Sequence, residues 1–224
     1  WNSTKKFQMR FTCSQCFLKS PLIEQQVCTL LKVSNETQVF MRYPTLFVNH
    51  GGGPLPLLGR QPELAAHMKE VVKKYLPKEP PSAIVVLSAH WESDPIEITS
   101  SSNPSMLFDY YGFPKETYEY EYPAPGSPDL AKEIQALLKK EGLNSKLNEK
   151  RGFDHGVFIP LMLMYPEARI PVVPVSLHKS LSAETNMKLG RALAPLRDEG
   201  ECYRRTFNAA QLEKKMAHTQ VQVC

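Results

Sequence analysis

The run Ala83-Ile-Val-Val-Leu-Ser88 constrains this chain more than any other stretch. It is β-branched, apolar at consecutive positions and free of charge. A strand with one wet face alternates; a continuous apolar strand is buried on both faces and needs a layer of helices above and below it. The helical candidates are present. Leu64, Ala65, Met68, Val71 and Val72 fall at helical spacing within Pro62 to Tyr75, and Pro77, Pro80 and Pro81 stop that helix. Pro128 to Glu141 has Asp129 early, Lys139 and Lys140 late, and Gly142 as its stop. Val157 to Tyr165 and Glu184 to Leu196 read as two more helices. Further strands are expected at Pro44–Asn49, Ile96–Thr99 and Ile170–Leu177, the last with prolines that imply bulges or a sheet edge. Strand and helix alternate. The expected fold is therefore α/β, a three-layer α/β/α arrangement with a mostly parallel or mixed central sheet. Residues 103–128, rich in Pro, Tyr and Gly, form a loop long enough to imply a functional role.

Charge narrows the function. The net charge is +4, but residues 1–41 hold five Lys/Arg against two Asp/Glu and residues 201–224 hold four against two. Between them the count is eighteen against nineteen, so the body is neutral and offers no basic face for nucleic acid. No apolar run reaches the roughly 18 residues of a membrane span. Cys13, Cys16, Cys28, Cys202 and Cys224 are odd in number and all lie toward the ends. Cys13 and Cys16 form a C-x-x-C without a second ligand pair, which is weak support for zinc. A cytoplasmic location is expected. Residues 1–41 are expected to be a poorly ordered N-terminal extension.

The histidines stand where α/β chemistry is placed. His50 follows the first strand and opens Gly51-Gly52-Gly53-Pro54; His90 follows the apolar strand in Ser88-Ala-His-Trp91; His178 follows the third strand. Ligands of open α/β sheets bind outside the carboxyl ends of the strands. His155, in Asp154-His-Gly156, precedes an apolar helix. Neutral imidazoles on rigid strand ends suit a divalent metal, and glycines after His50 let backbone come close. The alternative for any one of them is a hydrogen-bonded loop histidine. His67 and His218 are expected to face solvent. Asp154 either orients His155 or caps the following helix. Tyr110, Tyr111, Tyr118, Tyr120 and Tyr122 either line an aromatic pocket or cover a sheet edge. No G-x-G-x-x-G, P-loop, G-x-S-x-G or H-E-x-x-H is present.

Five segments carry a resemblance: Val48-Asn-His50-Gly-Gly-Gly-Pro54, Leu87-Ser-Ala-His90-Trp91, Tyr122-Pro-Ala-Pro-Gly126, Gly152-Phe-Asp-His155-Gly156 and Pro171-Val-Val-Pro-Val-Ser-Leu177. In order and approximate spacing they resemble the class III extradiol ring-cleavage dioxygenases, in the LigB-like branch that holds the 4,5-DOPA extradiol dioxygenases. The match covers about residues 43–200. It implies a catalytic domain over 42–200, incomplete and truncated at the C-terminus, and a non-family tail over 201–224. After Gly200 the family continues with a strand and two further metal histidines that Glu201-Cys-Tyr-Arg-Arg does not match.

The resemblance also implies roles. His50 and His90 fall on metal ligands, for one Fe(II) or Zn(2+) per chain. His155 falls on the catalytic acid/base. His178, Trp91 and Tyr120 are candidate substrate-binding residues. The implied activity is metal-dependent extradiol cleavage of a catechol such as DOPA by O2. The alternatives are a weak or inactive metal-binding homologue with an unpaired sheet edge, and a metal-dependent hydrolase. The implied partners are the small catechol and O2, with no nucleic acid and no membrane.

Overall fold

The computed structural model describes residues 45–78, 80–197 and, as backbone, 219–223. Contacts divide the chain between Val39 and Phe40, and Trp1–Val39 lies outside the described residues. So do the expectations for residues 1–41, the cysteines and His218.

The strands are β1 (Thr45–Val48), β2 (Ile84–Ser93), β3 (Ile96–Thr99), β4 (Ser145–Asn148), β5 (Val172–His178) and β6 (Thr219–Val223). The helices are α1 (Pro62–Tyr75), α2 (Pro128–Lys140), α3 (His155–Met164) and α4 (Ala183–Leu193). The described strands form one open sheet in the order β1-β6-β2-β5-β3-β4. β2 is parallel to β5 and β3 to β4, whereas β6 is antiparallel to both β1 and β2, and β3 to β5. The fold is α/β with a mixed sheet.

The apolar strand behaves as its composition requires. Ile84 and Val86 point into one core with Met68 of α1 and Val157, Phe158 and Leu161 of α3. Val85 and Leu87 point into the other with Leu130, Ile134 and Leu138 of α2 and Leu189 and Leu193 of α4. Ile84, Val85 and Val86 are fully buried. Each such side chain contributes roughly 1.5–3 kcal/mol by leaving water, so β2 is the mechanical reference of the molecule. Ser127 and Ser182 cap α2 and α4 by accepting from the Leu130 and Thr185 amides.

Three strand expectations change. β5 is central rather than an edge, between β2 and β3. Its proline is accommodated because the β3–β5 ladder, next to Pro174, contracts to the single pair Ile98↔Val175; Pro174 has no N–H to give. β4 was not foreseen, being short, polar and on the rim. Thr219–Val223 is a strand inserted between β1 and β2, so β2 does not face an unpaired edge there. Its polar–apolar alternation, Thr-Gln-Val-Gln-Val, is the strand signal that marks it. Among the described residues no helix is long and apolar enough to cross a membrane.

Candidate metal centre

Three elements deliver three imidazoles to one point. β1 ends at Val48, and the chain turns at once through glycines. Gly51 and Gly53 have φ of +81° and +57°, in the left-handed region. A Cβ on Gly51 would stand 2.2 Å from Gln61 Oε1, which instead accepts from the Gly52 amide. This tight turn holds His50 fully buried at the end of β1.

His90 lies in a wide irregularity of β2. Ser88 pairs with Ser176 and Glu92 with Leu177, so Ala89, His90 and Trp91 lack β5 partners. Extra residues in one strand bend it and re-aim a side chain; here the side chain is the imidazole. His155 is the first residue of α3, and Asp154 is the cap, accepting from the Val157 amide at 3.2 Å. The helix thus begins two residues before the apolar run suggests.

His50 and His90 meet Nε2 to Nε2 at 2.8 Å. The His155 ring centroid lies 4.8 Å from that of His50 and 4.0 Å from that of His90. The ligand atoms of all three lie within 4.8 Å of one another. Two nitrogens held at about 2.0–2.1 Å from one ion stand about 2.9 Å apart at a right angle and about 3.3 Å apart in a tetrahedron, so the two rings need open only by tenths of an ångström to hold one. Burial lowers the His90 pKa, and the neighbouring His155 lowers it further, outweighing Asp154 and Asp109. A neutral imidazole is the form that ligates. The residues present fit a divalent metal.

Asp109, which sequence reasoning missed, completes the group. Its Oδ1 accepts from the His155 Nδ1 at 2.7 Å and from the His155 backbone amide at 2.9 Å. Burial pushes the Asp109 carboxyl up, but the bonds from the His155 ring and amide outweigh it and hold it below the usual carboxylate range. An ionised Asp109 keeps the proton on Nδ1 and leaves Nε2 as the nitrogen without one. The signal for Asp109 was its place in the long loop, which packs back on the site. Leu107 donates to the Phe153 carbonyl and the Phe153 amide to that of Ser105.

The other sequence candidates sort by place. Tyr110 packs edge-on to His155 and against Phe113 and Tyr118, its hydroxyl donating to the Thr117 carbonyl. An aromatic cluster therefore stands beside the imidazoles. Tyr122 is buried with its hydroxyl on the Tyr165 carbonyl, Tyr111 is exposed, and Tyr120 is partly buried against the core. Trp91 is buried beneath the Arg151 guanidinium, 4.9 Å from its ring. His178 Nδ1 bonds Ser180 Oγ at 2.8 Å, and His178 is not one of the three gathered histidines. His67 is exposed.

Residues 48–203 match the family described as the catalytic LigB subunit of aromatic ring-opening dioxygenase. The chain belongs to the LigB family. Among curated relatives, the dioxygenase tasH of Hapsidospora irregularis is 41% identical over 70% of this chain and 50% of its own length. The 4,5-DOPA dioxygenase extradiol of Beta vulgaris is 42% identical over 70% of this chain and 58% of its own. The protein of that name from Escherichia coli (strain K12) is 40% identical over 71% and 56%. The LigB chain described here thus spans about half the length of the curated relatives it matches.

Proposed function

We propose that this chain is a metal-dependent extradiol dioxygenase that opens the ring of a catechol such as DOPA with O2. The observation that carries the reading is the convergence of His50, His90 and His155 from three elements, in a LigB-family chain whose relatives include 4,5-DOPA dioxygenases. His50 and His90 are the proposed ligands of one Fe(II) or Zn(2+) per chain. The ion, when bound, supplies Lewis acidity toward the catechol oxygens and, as Fe(II), redox access to O2.

His155 acts as the acid/base. With Nδ1 bonded to Asp109, its bare Nε2 accepts a phenolic proton and returns it later. The half-buried Asp109 stabilises the imidazolium formed meanwhile. The aromatic cluster around Tyr110 excludes water on that side. His178, Trp91 and Tyr120 are proposed as outer substrate contacts. Their substitution is expected to raise KM with metal affinity unchanged, and an unmoved KM removes them from the pocket. The reaction is placed in the cytosol, in keeping with the odd number of cysteines.

The experiment is an assay of the Fe(II)-loaded chain with DOPA under air and under argon. Ring cleavage consumes O2 and forms a yellow semialdehyde under air alone. Turnover of DOPA that persists under argon, or that consumes no O2 under air, would contradict the dioxygenase reading.

A further inference from the structure

We infer that the Asp154 carboxylate is a positioning group that sets the His90 and His155 rings against one another, acting through Ser88 and Arg151. The inference rests on the proposed roles of those histidines. Asp154 is fully buried, and a buried carboxylate persists only when its oxygens are matched. Oδ1 accepts from the Ser88 hydroxyl at 2.7 Å and the Val157 amide at 3.2 Å; Oδ2 accepts from Arg151 Nη2 at 2.8 Å.

Those partners grip the peptide groups of His90. Ser88 Oγ accepts from the His90 amide at 3.2 Å, and Arg151 Nη2 donates to the His90 carbonyl at 3.4 Å. The same guanidinium lies over the Trp91 ring. Ala89, His90 and Trp91 pair with neither β5 nor β6, so the ladder does not fix them. Their geometry comes from the assembly on Asp154. At its other end Asp154 caps α3, whose first residue is His155. A strand irregularity can slide and a helix terminus can fray. Here both are tied to one carboxylate, and the two rings they carry lie 4.0 Å apart between centroids.

The test uses the full chain with isotope-labelled histidine rings. Asp154→Asn keeps the shape and one acceptor but presents an amide to Arg151. Far-UV dichroism reports folding, nuclear Overhauser contacts report the His90–His155 ring geometry without metal, and Co(II) titration reports the site. Asp129→Asn, at an exposed carboxylate paired with Lys132 on α2, is the control. Asp154→Asn is expected to fold, lose the His90–His155 ring contact and bind Co(II) at least about tenfold more weakly. Arg151→Lys should fall between it and the native chain, and Asp129→Asn should match the native chain. Unchanged ring contacts and Co(II) affinity in folded Asp154→Asn overturn the inference. If that variant does not fold, Ser88→Ala and Arg151→Lys supply the same ring measurement, and unchanged contacts in both overturn it. A native chain that takes up no Co(II) overturns the metal reading, while the ring contacts still decide the positioning role.

Discussion

His155 and Asp109 share two hydrogen bonds through a single carboxylate oxygen, and that pairing decides which nitrogen of the imidazole is available. Asp109→Ala is expected to lower turnover by about 10–100-fold, the scale measured when a metal-ligating histidine loses its carboxylate partner. The metal stoichiometry should not change. Steady-state kinetics with parallel metal analysis checks this, and full turnover in the variant would remove Asp109 from the site. His155, His50 and His90 were legible in the sequence because local context marks them: a glycine run, a buried strand, an Asp-His-Gly cap. Asp109 was not, because its partner lies far along the chain and the loop's fold brings them together. The role of Asp154 was left between capping and orienting. In the structure Asp154 caps the helix that His155 begins, and the direct hydrogen bond of the His155 ring is to Asp109.

At the scale of elements, the rim of the sheet is tied by Glu97 of β3. Its carboxylate accepts from Ser93 Oγ at 2.9 Å and from the Asn148 amide of β4, and it pairs with Lys146 at 3.0 Å. Burial raises the Glu97 pKa, but the bonds from Asn148, Lys146 and Ser93 prevail and lower it. A depressed carboxylate binds fewer protons in the folded state than in the unfolded one. Its contribution is therefore complete above the ordinary Glu value of about 4.3 and is lost as pH falls through the lower folded value. Glu97→Gln should cost about 1 kcal/mol at pH 7 and flatten the acid limb below about pH 4.3, as read by thermal unfolding across pH. An acid limb identical to the native one would show that Glu97 is idle. The helices and β2 were legible because burial leaves a strong apolar pattern in them, periodic in α1, α2 and α4 and continuous in α3 and β2. β4 was not, since a short polar rim strand carries little apolar pattern. Nor was the central place of β5, where prolines argue locally for an edge and two buried faces overrule them.

For the whole molecule, β1 is held in the sheet at one remove from β2. In the strand order β6 stands between them, with Val221 opposite Leu46 on one side and Val86 on the other. His50 follows β1 and His90 lies in β2, so the register of β6 bears on the distance between the two imidazoles. Val221→Pro removes a ladder donor and should destabilise the fold by about 1–3 kcal/mol. It should also weaken metal binding, although no histidine has changed. Hydrogen exchange at Leu46 and Val86 together with a metal titration checks both; protected amides and native affinity would show that β6 does not hold the two strands.

The central claim is that His50 and His90 hold one metal ion while His155 serves as acid/base beside it. Equilibrium dialysis of the native chain and of His50→Ala, His90→Ala and His155→Ala against Fe(II) or Zn(2+), followed by elemental analysis, tests it most directly. The account predicts one ion per native chain, one per His155→Ala chain, and loss of the ion from the other two variants. No ion on the native chain, or loss of it with His155→Ala, would contradict it.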